Sequence, residues 1–592
     1  MFHSSFSLLP RSTKPARTRL AAESPGKRGA QPHGLFDKNA EGGCGFAASI
    51  PCVRYSLERF LRGGERLLRI ALSLALVAVT VLLAACAGDA GIEDSVGREM
   101  GEQAPETSAE AVNPDAGVSG AICIAGAPQQ DCDGDASNGC ETDTFTDVNH
   151  CGACNSPCAS SCVEGRCADP IDLALNFGRT CALLGTGEAT CWGLNYYGQL
   201  GNGSGGTVDG GPLPTEGTAL EPPDNEAAEV GLEPTFVQRT LGTPLRNIRQ
   251  LALGLHHTCA LVGREGAVYC WGANYFGQLG DGTLSPRPYA GPVLAREGTA
   301  PLTGITYLSA GRMQTCGVTT EERVVCWGRE RFGSLGRATG TDGTERAVQR
   351  PSYVLSQDRT PLDGVRATAL GATFSCFSLE TGLACTGQAF NGRLGNGTGG
   401  PNVDLAGPVL GPSGHGVWTQ PVLAVTNAFV SQCVLTSGGR VACWGNGGEG
   451  QLGQGDLAIR RSPAYVLDSQ GENVLQGIRD LSAASSHVCA TTQEDQAWCW
   501  GWNEYHTLGN TLDASELADA GERSTLPVAV LDPSSGEPLS DIDRVIAGRE
   551  HTCALMRDRR VLCWGRNRYG ELGQGMRSEA PALAAEVRVH PN

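Results

Sequence analysis

The chain has 592 residues, with Lys+Arg 45 against Asp+Glu 63 and a formal charge of −18. Gly is 82, Cys is 25 and the hydrophobic fraction is 40%. These values exclude a wholly disordered chain, a polytopic membrane protein and, without a G-X-Y period, collagen; the acidic balance also lacks the basic footprint of a nucleic-acid binder.

Residues 1–69 form a prefix too long for a signal n-region, and 1–50 show neither helix nor strand periodicity, as in an over-extended gene start. Residues 70–85, IALSLALVAVTVLLAA, follow Arg59, Arg62, Arg66 and Arg69. This apolar run is short of the roughly 20 residues of a bilayer span, and its basic flank and small terminal residues read as a secretory signal. It ends Leu83-Ala84-Ala85-Cys86, which resembles the bacterial lipobox. The resemblance implies cleavage before Cys86, diacylglycerol on its thiol and, from Ala87, the outer membrane. Residues 1–85 hold 12 Lys+Arg and 5 Asp+Glu, so the chain from Cys86 onward carries −25. Its expected bilayer contact is the lipid alone, with no nucleic acid among its partners. Residues 86–121 are rich in Gly, Ala, Glu, Pro and Ser and read as a flexible tether.

Residues 122–168 hold eight cysteines, at 123, 132, 140, 151, 154, 158, 162 and 167. In an exported segment this is a small disulfide-rich module, with the pairing left open. Zinc is the alternative, from the Cys151-x-x-Cys154 spacing. Asp131, Asp133 and Asp135 alternate as calcium ligands can, but Ala136 and Thr142 break the EF-hand template, so a solvated acidic turn is the competing reading. No other cofactor is expected.

The other fourteen cysteines come as pairs: Cys181 with Cys191, Cys259 with Cys270, Cys316 with Cys326, Cys376 with Cys385, Cys433 with Cys443, Cys489 with Cys499 and Cys553 with Cys563. The first member recurs after 78, 57, 60, 57, 56 and 64 residues, so residues 170–592 are an internal repeat. Runs such as HTCAL and VYCWG are β-compatible and flank turn residues such as Gly263-Arg264-Glu265-Gly266. Cysteines opposed across that hairpin lie within disulfide reach, so one disulfide per repeat is expected in an exported chain; buried free thiols are the cytosolic alternative. About four short strands per unit, copied seven times, give an all-β seven-bladed propeller. Strands at 171–175 and 586–589 are the candidates to close the ring within one shared blade.

After the second cysteine stand CWGLNYYGQLGNG, CWGANYFGQLGDG and CWGRNRYGELGQG, at 191, 270 and 563. With [AG]xGxxHTCAL before it, this motif resembles the regulator of chromosome condensation repeat family over about residues 170–592. The family's fold is a seven-bladed β-propeller. Thr386 departs from its Trp position and His506 from a Gly position. Family members include a guanine nucleotide exchange factor, and a secreted bacterial propeller similar to this chain inhibits β-lactamases.

No catalytic motif such as G-x-S-x-G, HExxH or a Walker loop is present. One slot, two residues before the first cysteine of each repeat, holds Arg179, His257, Gln314, Phe374, Ser431, His487 and His551. It reads as a polar strand end or as a ring at the channel mouth. The loop after Cys-Trp-Gly carries Tyr197, Phe276, Phe332, Phe390, Tyr505 and Tyr569, which read as inter-blade packing or as anchors of a binding face. The expectation is a cell-envelope, surface-exposed lipoprotein: a non-catalytic propeller that binds a protein or glycan. The alternatives are an exchange-factor-like or enzyme-inhibitory regulator, and an extracellular hydrolase.

Overall fold

The computed structural model describes residues 129–590, apart from 131, 134–139, 141, 160, 206–228 and 512–522. The signal segment, Cys86, the tether, Cys123, Asp131 and Asp135 lie outside the described residues.

Residues 170–587 form seven antiparallel four-stranded sheets, each made of four strands consecutive in sequence. The first strands are Pro170–Asn176, Ile248–Leu253, Ile305–Ala310, Val365–Leu370, Val422–Ala428, Ile478–Ala484 and Ile542–Ala547. They line a central cavity and define blades 1 to 7. Second and third strands form the cysteine hairpins, and the two cysteines of each hairpin are directly opposed. In blade order, Cys181 is bonded to Cys191, Cys259 to Cys270, Cys316 to Cys326 and Cys376 to Cys385. Cys433 is bonded to Cys443, Cys489 to Cys499 and Cys553 to Cys563. The Cα–Cα separations are 4.1–4.2 Å, slightly closer than the usual disulfide range, because opposed residues of a tight hairpin approach that closely. All fourteen cysteines are buried, so the staples lie inside the blades.

The fourth strands are the outer edges. Each carries Pro, such as Pro351 in Arg346–Tyr353 and Pro463 in Arg460–Tyr465. A proline without an N–H blunts an edge that would otherwise template another strand.

The blades are joined by their tryptophans. Trp271 of blade 2 donates its indole N–H to the Gln199 carbonyl of blade 1 at 3.0 Å, and Thr258 donates to the same oxygen at 2.8 Å. The same indole-to-carbonyl contact ties Trp327 to Gln278, Trp444 to Arg393, Trp500 to Gln451 and Trp564 to Thr507. Each of these indoles is at most 1% exposed. By area, burying one is worth roughly 5 kcal/mol of transfer free energy, at about 25 cal/mol per Å² over about 200 Å². Two glycines make room. Gly193, after Cys-Trp, has φ +98°, and a Cβ there would overlap the Gly178 oxygen. Gly201, which ends Leu-Gly, would put a Cβ 2.6 Å from Nε1 of Trp271. This explains why both positions are Gly in all seven repeats.

In blade 4 the residue after the second cysteine is not tryptophan. Thr386 stands there and donates to the Gly333 carbonyl at 3.0 Å. Phe377, fully buried, replaces the small residue of other repeats, such as Ala260, and packs in one cluster with Leu335 and Val354. Leu200 and Val237 hold Trp271 in the equivalent cluster of blades 1 and 2. Phe377 and Ser375 share a strand face, and Ser375 opposes Thr386, so the phenyl ring fills the volume the indole leaves.

Ring closure differs from the expectation of one shared blade. The first strand of blade 1 and the fourth strand of blade 7, Ser578–Val587, lie in different sheets. Closure repeats the ordinary joint: Trp192 and Thr180 both donate to the Glu571 carbonyl, at 2.9 Å each. Thr190 adds a bond to the Val589 carbonyl at 2.7 Å. Since blades 1 and 7 each complete their own four strands, neither needs a strand from the other chain end.

The cysteine-rich module precedes blade 1. Its described disulfides are Cys132–Cys154, Cys151–Cys162 and Cys158–Cys167. Sulfurs of Cys151, Cys158 and Cys167 cluster within 4.8 Å, but each is spent in a disulfide, which removes the thiolate a zinc ion needs. The Gly185 N–H of blade 1 donates to the Asp169 carbonyl at 2.9 Å, and Arg246 pairs with Glu164 at 3.8 Å, which seats the module on blades 1 and 2.

Candidate binding face

The polar slot does not reach the channel mouth. Arg179, His257, His487 and His551 are each fully buried, which corrects the reading of these residues as a binding ring. They are inter-blade pins. Thr315 donates its hydroxyl to the Gln278 carbonyl, so His257 must donate Nε2–H to Thr315 Oγ1, at 2.9 Å. His487 does the same to Thr552 at 3.0 Å, and His551 to Thr180 at 2.8 Å. Nδ1 of each lacks a partner, and burial pushes each imidazole down to about 3, so all three are neutral. Arg179 donates to the carbonyls of Leu255, Gly254 and His257, at 2.9, 2.6 and 2.5 Å, and burial lowers it to about 9.

The loop aromatics are corrected in part. Tyr197, Phe276 and Tyr569 are buried, at 7%, 6% and 4% exposure, and pack between blades. Tyr197 lies 4.9 Å from the His256 ring and 5.7 Å from Tyr275. Phe332 and Tyr505 are half-buried under Arg331 and Arg566, at 4.5 and 4.7 Å. Phe390 alone of the six is open to solvent, at 58%.

A different set surrounds the mouth. The turn from first to second strand places Leu255, Arg312, Ala372, Phe429, Ser485 and Arg549 on the cavity wall, while the equivalent Phe177 of blade 1 is buried beneath Arg549. They stand two residues before the polar slot, beside the glycine or small residue that ends the first strand. The Arg312 guanidinium of blade 3 reaches past the small Ala372 of blade 4 and lies 5.6 Å over the Phe429 ring of blade 5. Arg549 of blade 7 lies 4.5 Å over Phe177 of blade 1. Below them the cavity encloses about 330 Å³. At the far end Arg544 is held between Asp172, at 2.8 Å, and Asp480, at 3.2 Å. Burial pushes the Asp172 carboxyl up, against the pull of Arg544.

Two carboxyls sit beneath the loops. Glu571 fills the position held by Gln199, Gln278 and Gln451, accepts from the Tyr569 N–H at 2.6 Å, and is pushed up to about 7 by burial. Glu330 is fully buried, 3.7 Å from Arg337, and also raised by burial.

Seven four-stranded blades, each stapled by one disulfide, and a polar mouth define a β-propeller whose variable loops gather on one face. Family models described as "Regulator of chromosome condensation (RCC1) repeat" match residues 171–199, 248–278 and 542–571, and residues 265–318 and 494–555. The chain is a seven-bladed propeller that carries RCC1 repeats. It is similar to the ultraviolet-B receptor UVR8 of Arabidopsis thaliana, 27% identical over 396 residues, covering 66% of this chain and 76% of the receptor. It is 26% identical over 402 residues to the mouse secretion-regulating guanine nucleotide exchange factor, covering 65% and 76% of the two chains. Human E3 ubiquitin-protein ligase HERC2 matches at 28% over 257 residues, 43% of this chain but only 5% of the ligase. The crystal structure of human WBSCR16 shares the fold, with a TM-score of 0.53 and 21% identity over 68% of this chain and 94% of that one.

Proposed function

We propose that this protein is an exported, lipid-tethered propeller that binds a partner protein through the face bearing the channel mouth, without chemistry of its own. The single observation that carries the reading is the arginine–aromatic stack at that mouth, Arg312 on the exposed Phe429. Arginine and aromatic side chains on a rigid support are hot-spot material. Ten described disulfides and the lipobox-like run support export.

A second reading, an intracellular regulator of the exchange-factor kind, is favoured by the name of the mouse relative. The hydrolase reading names no site, and the burial of His257, His487 and His551 keeps those residues from serving one.

A photo-crosslinking residue at Phe429, compared with one at Leu241 beyond the fourth strand of blade 1, tests the face. On intact cells position 429 should give one discrete adduct that unlabelled protein competes away, and position 241 none. Equal adducts at both positions, or none at either, would reject the mouth as the working face.

A further inference from the structure

We propose that the channel mouth is a binding site for one neutral pyranose sugar, held by Asn427, Phe429, Ser482 and Ser485 of blades 5 and 6. The proposal rests on the partner-binding reading only in its choice of face, and its test requires no partner. The cavity below the mouth encloses about 330 Å³, a volume within the range of small-molecule sites. Among the described residues no Asp, Glu, His or Lys lines it. Its two arginines are already engaged: Arg312 lies over Phe429, and Arg549 lies over Phe177 and pairs with Glu550 at 3.5 Å. The remaining polar groups of the wall are hydroxyls and amides, which suit an uncharged ligand.

Those groups are unevenly spread. Blades 5 and 6 contribute Thr426, Asn427, Ser482 and Ser485. Blades 1 and 2 contribute Leu175, Leu253 and Leu255, beside an Asn176 whose amide is bonded to the Leu253 carbonyl and the Phe177 N–H. Thr426 ties blade 5 to blade 6: its hydroxyl donates to the Ala483 carbonyl at 3.4 Å and accepts the Ala483 N–H at 3.0 Å. This joint brings Asn427 and Ser482, which flank the bonded pair, to one stretch of wall. Asn427 donates its Nδ2–H to Gln432 at 3.3 Å, and its Oδ1 accepts no bond among the described residues. Ser482 accepts the Ala547 N–H at 3.0 Å, and its own proton has no acceptor there. The Ser485 hydroxyl makes no hydrogen bond to any described residue. Phe429, at the entrance, keeps 42% of its surface open beside the Arg312 guanidinium. One acceptor, two hydroxyls, an open aromatic ring and an aliphatic wall match a pyranose, whose hydroxyls stand round its edge and whose faces are C–H. The sugar comes either as a free monosaccharide or as the end residue of a glycan.

The test is saturation-transfer NMR and calorimetric titration on the intact, disulfide-bonded protein. The probes are glucose, galactose, mannose, fucose and N-acetylglucosamine, each with its methyl glycoside. Glucuronate and cyclohexanediol are the comparisons, one charged and one stripped of most hydroxyls. Saturable binding of at least one neutral sugar, about tenfold or more tighter than either comparison, is expected. Ser485 has φ +52°, so Ser485→Gly removes the hydroxyl without straining the turn. It should weaken the sugar by about fivefold, as loss of one neutral hydrogen bond does, and Asn427→Ala by a similar factor. Phe429→Ala should weaken it by about tenfold. Ser469→Gly, outside the cavity, should leave it unchanged. Binding of a sugar but not of its methyl glycoside identifies a free monosaccharide as the source; equal binding of both identifies the end of a glycan. No saturation by any sugar, equal binding of either comparison, or wild-type affinity in both S485G and N427A overturns the site. Absent sugar binding with position-429 adducts intact sinks this inference and leaves the partner-binding face standing; sugar binding without those adducts sinks the partner reading and leaves the site.

Discussion

The indole N–H of Trp192 meets the backbone carbonyl of Glu571 at 2.9 Å, joining the first blade to the last with the bond used at five other blade joints. Closure is thus one more copy of the inter-blade joint. Trp192→Phe and Trp271→Phe should therefore destabilise the protein alike, by about 1–2 kcal/mol for one lost hydrogen bond and a little volume. Urea unfolding of the two variants checks this. A far larger loss at Trp192 would mean that the closing joint is a special lock.

Glu571 makes this joint sensitive to pH. Its carboxyl rises from 4.5 to about 7 on folding, through burial, against the N–H of Tyr569 and the Coulombic pull of Arg566. The folded state holds this proton more tightly. Its contribution is complete below pH 4.5 and is lost as pH rises through 7. The upper bound on that loss is about 3 kcal/mol. Glu571→Gln gives the side chain that three other repeats carry, at Gln199, Gln278 and Gln451, and the alkaline fall in Tm between about pH 5 and 8 should flatten. An unchanged Tm profile would contradict the assignment.

On the acid side the buried histidines act in the opposite sense. His257, His487 and His551 fall from 6.5 to about 3 on folding. The unfolded chain binds their protons first, so stability is present above 6.5 and drains as pH falls toward 3. Imidazole NMR signals of the three should stay neutral from about pH 8 down to about 4 while the protein remains folded. A midpoint near the ordinary 6.5 for any of them would place that ring in water.

Blade 4 carries a paired exchange. Phe377→Ala should cost about 3–5 kcal/mol, because it empties the volume the phenyl ring occupies in the cluster with Leu335 and Val354. Thr386→Trp alone should also destabilise, through overpacking against Phe377. The double variant F377A/T386W rebuilds the indole joint of the other blades and should recover most of the loss. Additive losses in a double-mutant cycle would refute the exchange.

Much of this fold is legible in the residues. The cysteine spacing gives the hairpins: Cys191, Cys326, Cys385, Cys443 and Cys563 each bond the partner that the repeat assigns, as Cys270 and Cys499 do. Seven copies of Cys-x-Gly with Leu-Gly give the blade count. Closure is not legible, because strands at 171–175 and 586–589 have the same pattern whether they pair or end separate sheets. The polar slot is the strand end it reads as, since His257 opens the strand His257–Val262; its alternative as a ring at the mouth fails because a neighbouring blade covers it with Thr315. For the loop aromatics the packing reading holds at Tyr197, Phe276 and Tyr569, and the binding-face alternative fails there because adjacent blades bury them. The column with Arg312, Phe429 and Arg549 varies from repeat to repeat, but so does the buried slot two residues further on, so variation alone does not mark it. Its convergence on one mouth is a property of the closed ring and has no local signature.

The measurement that tests the central claim most directly is the intact mass of the membrane-extracted protein, alkylated with and without prior reduction. An exported, lipid-tethered propeller predicts a chain that begins at Cys86, carries a lipid-sized increment, and shields all fourteen paired propeller cysteines until reduced. A lipid-free chain with alkylatable propeller thiols would contradict it and make the intracellular regulator the better account.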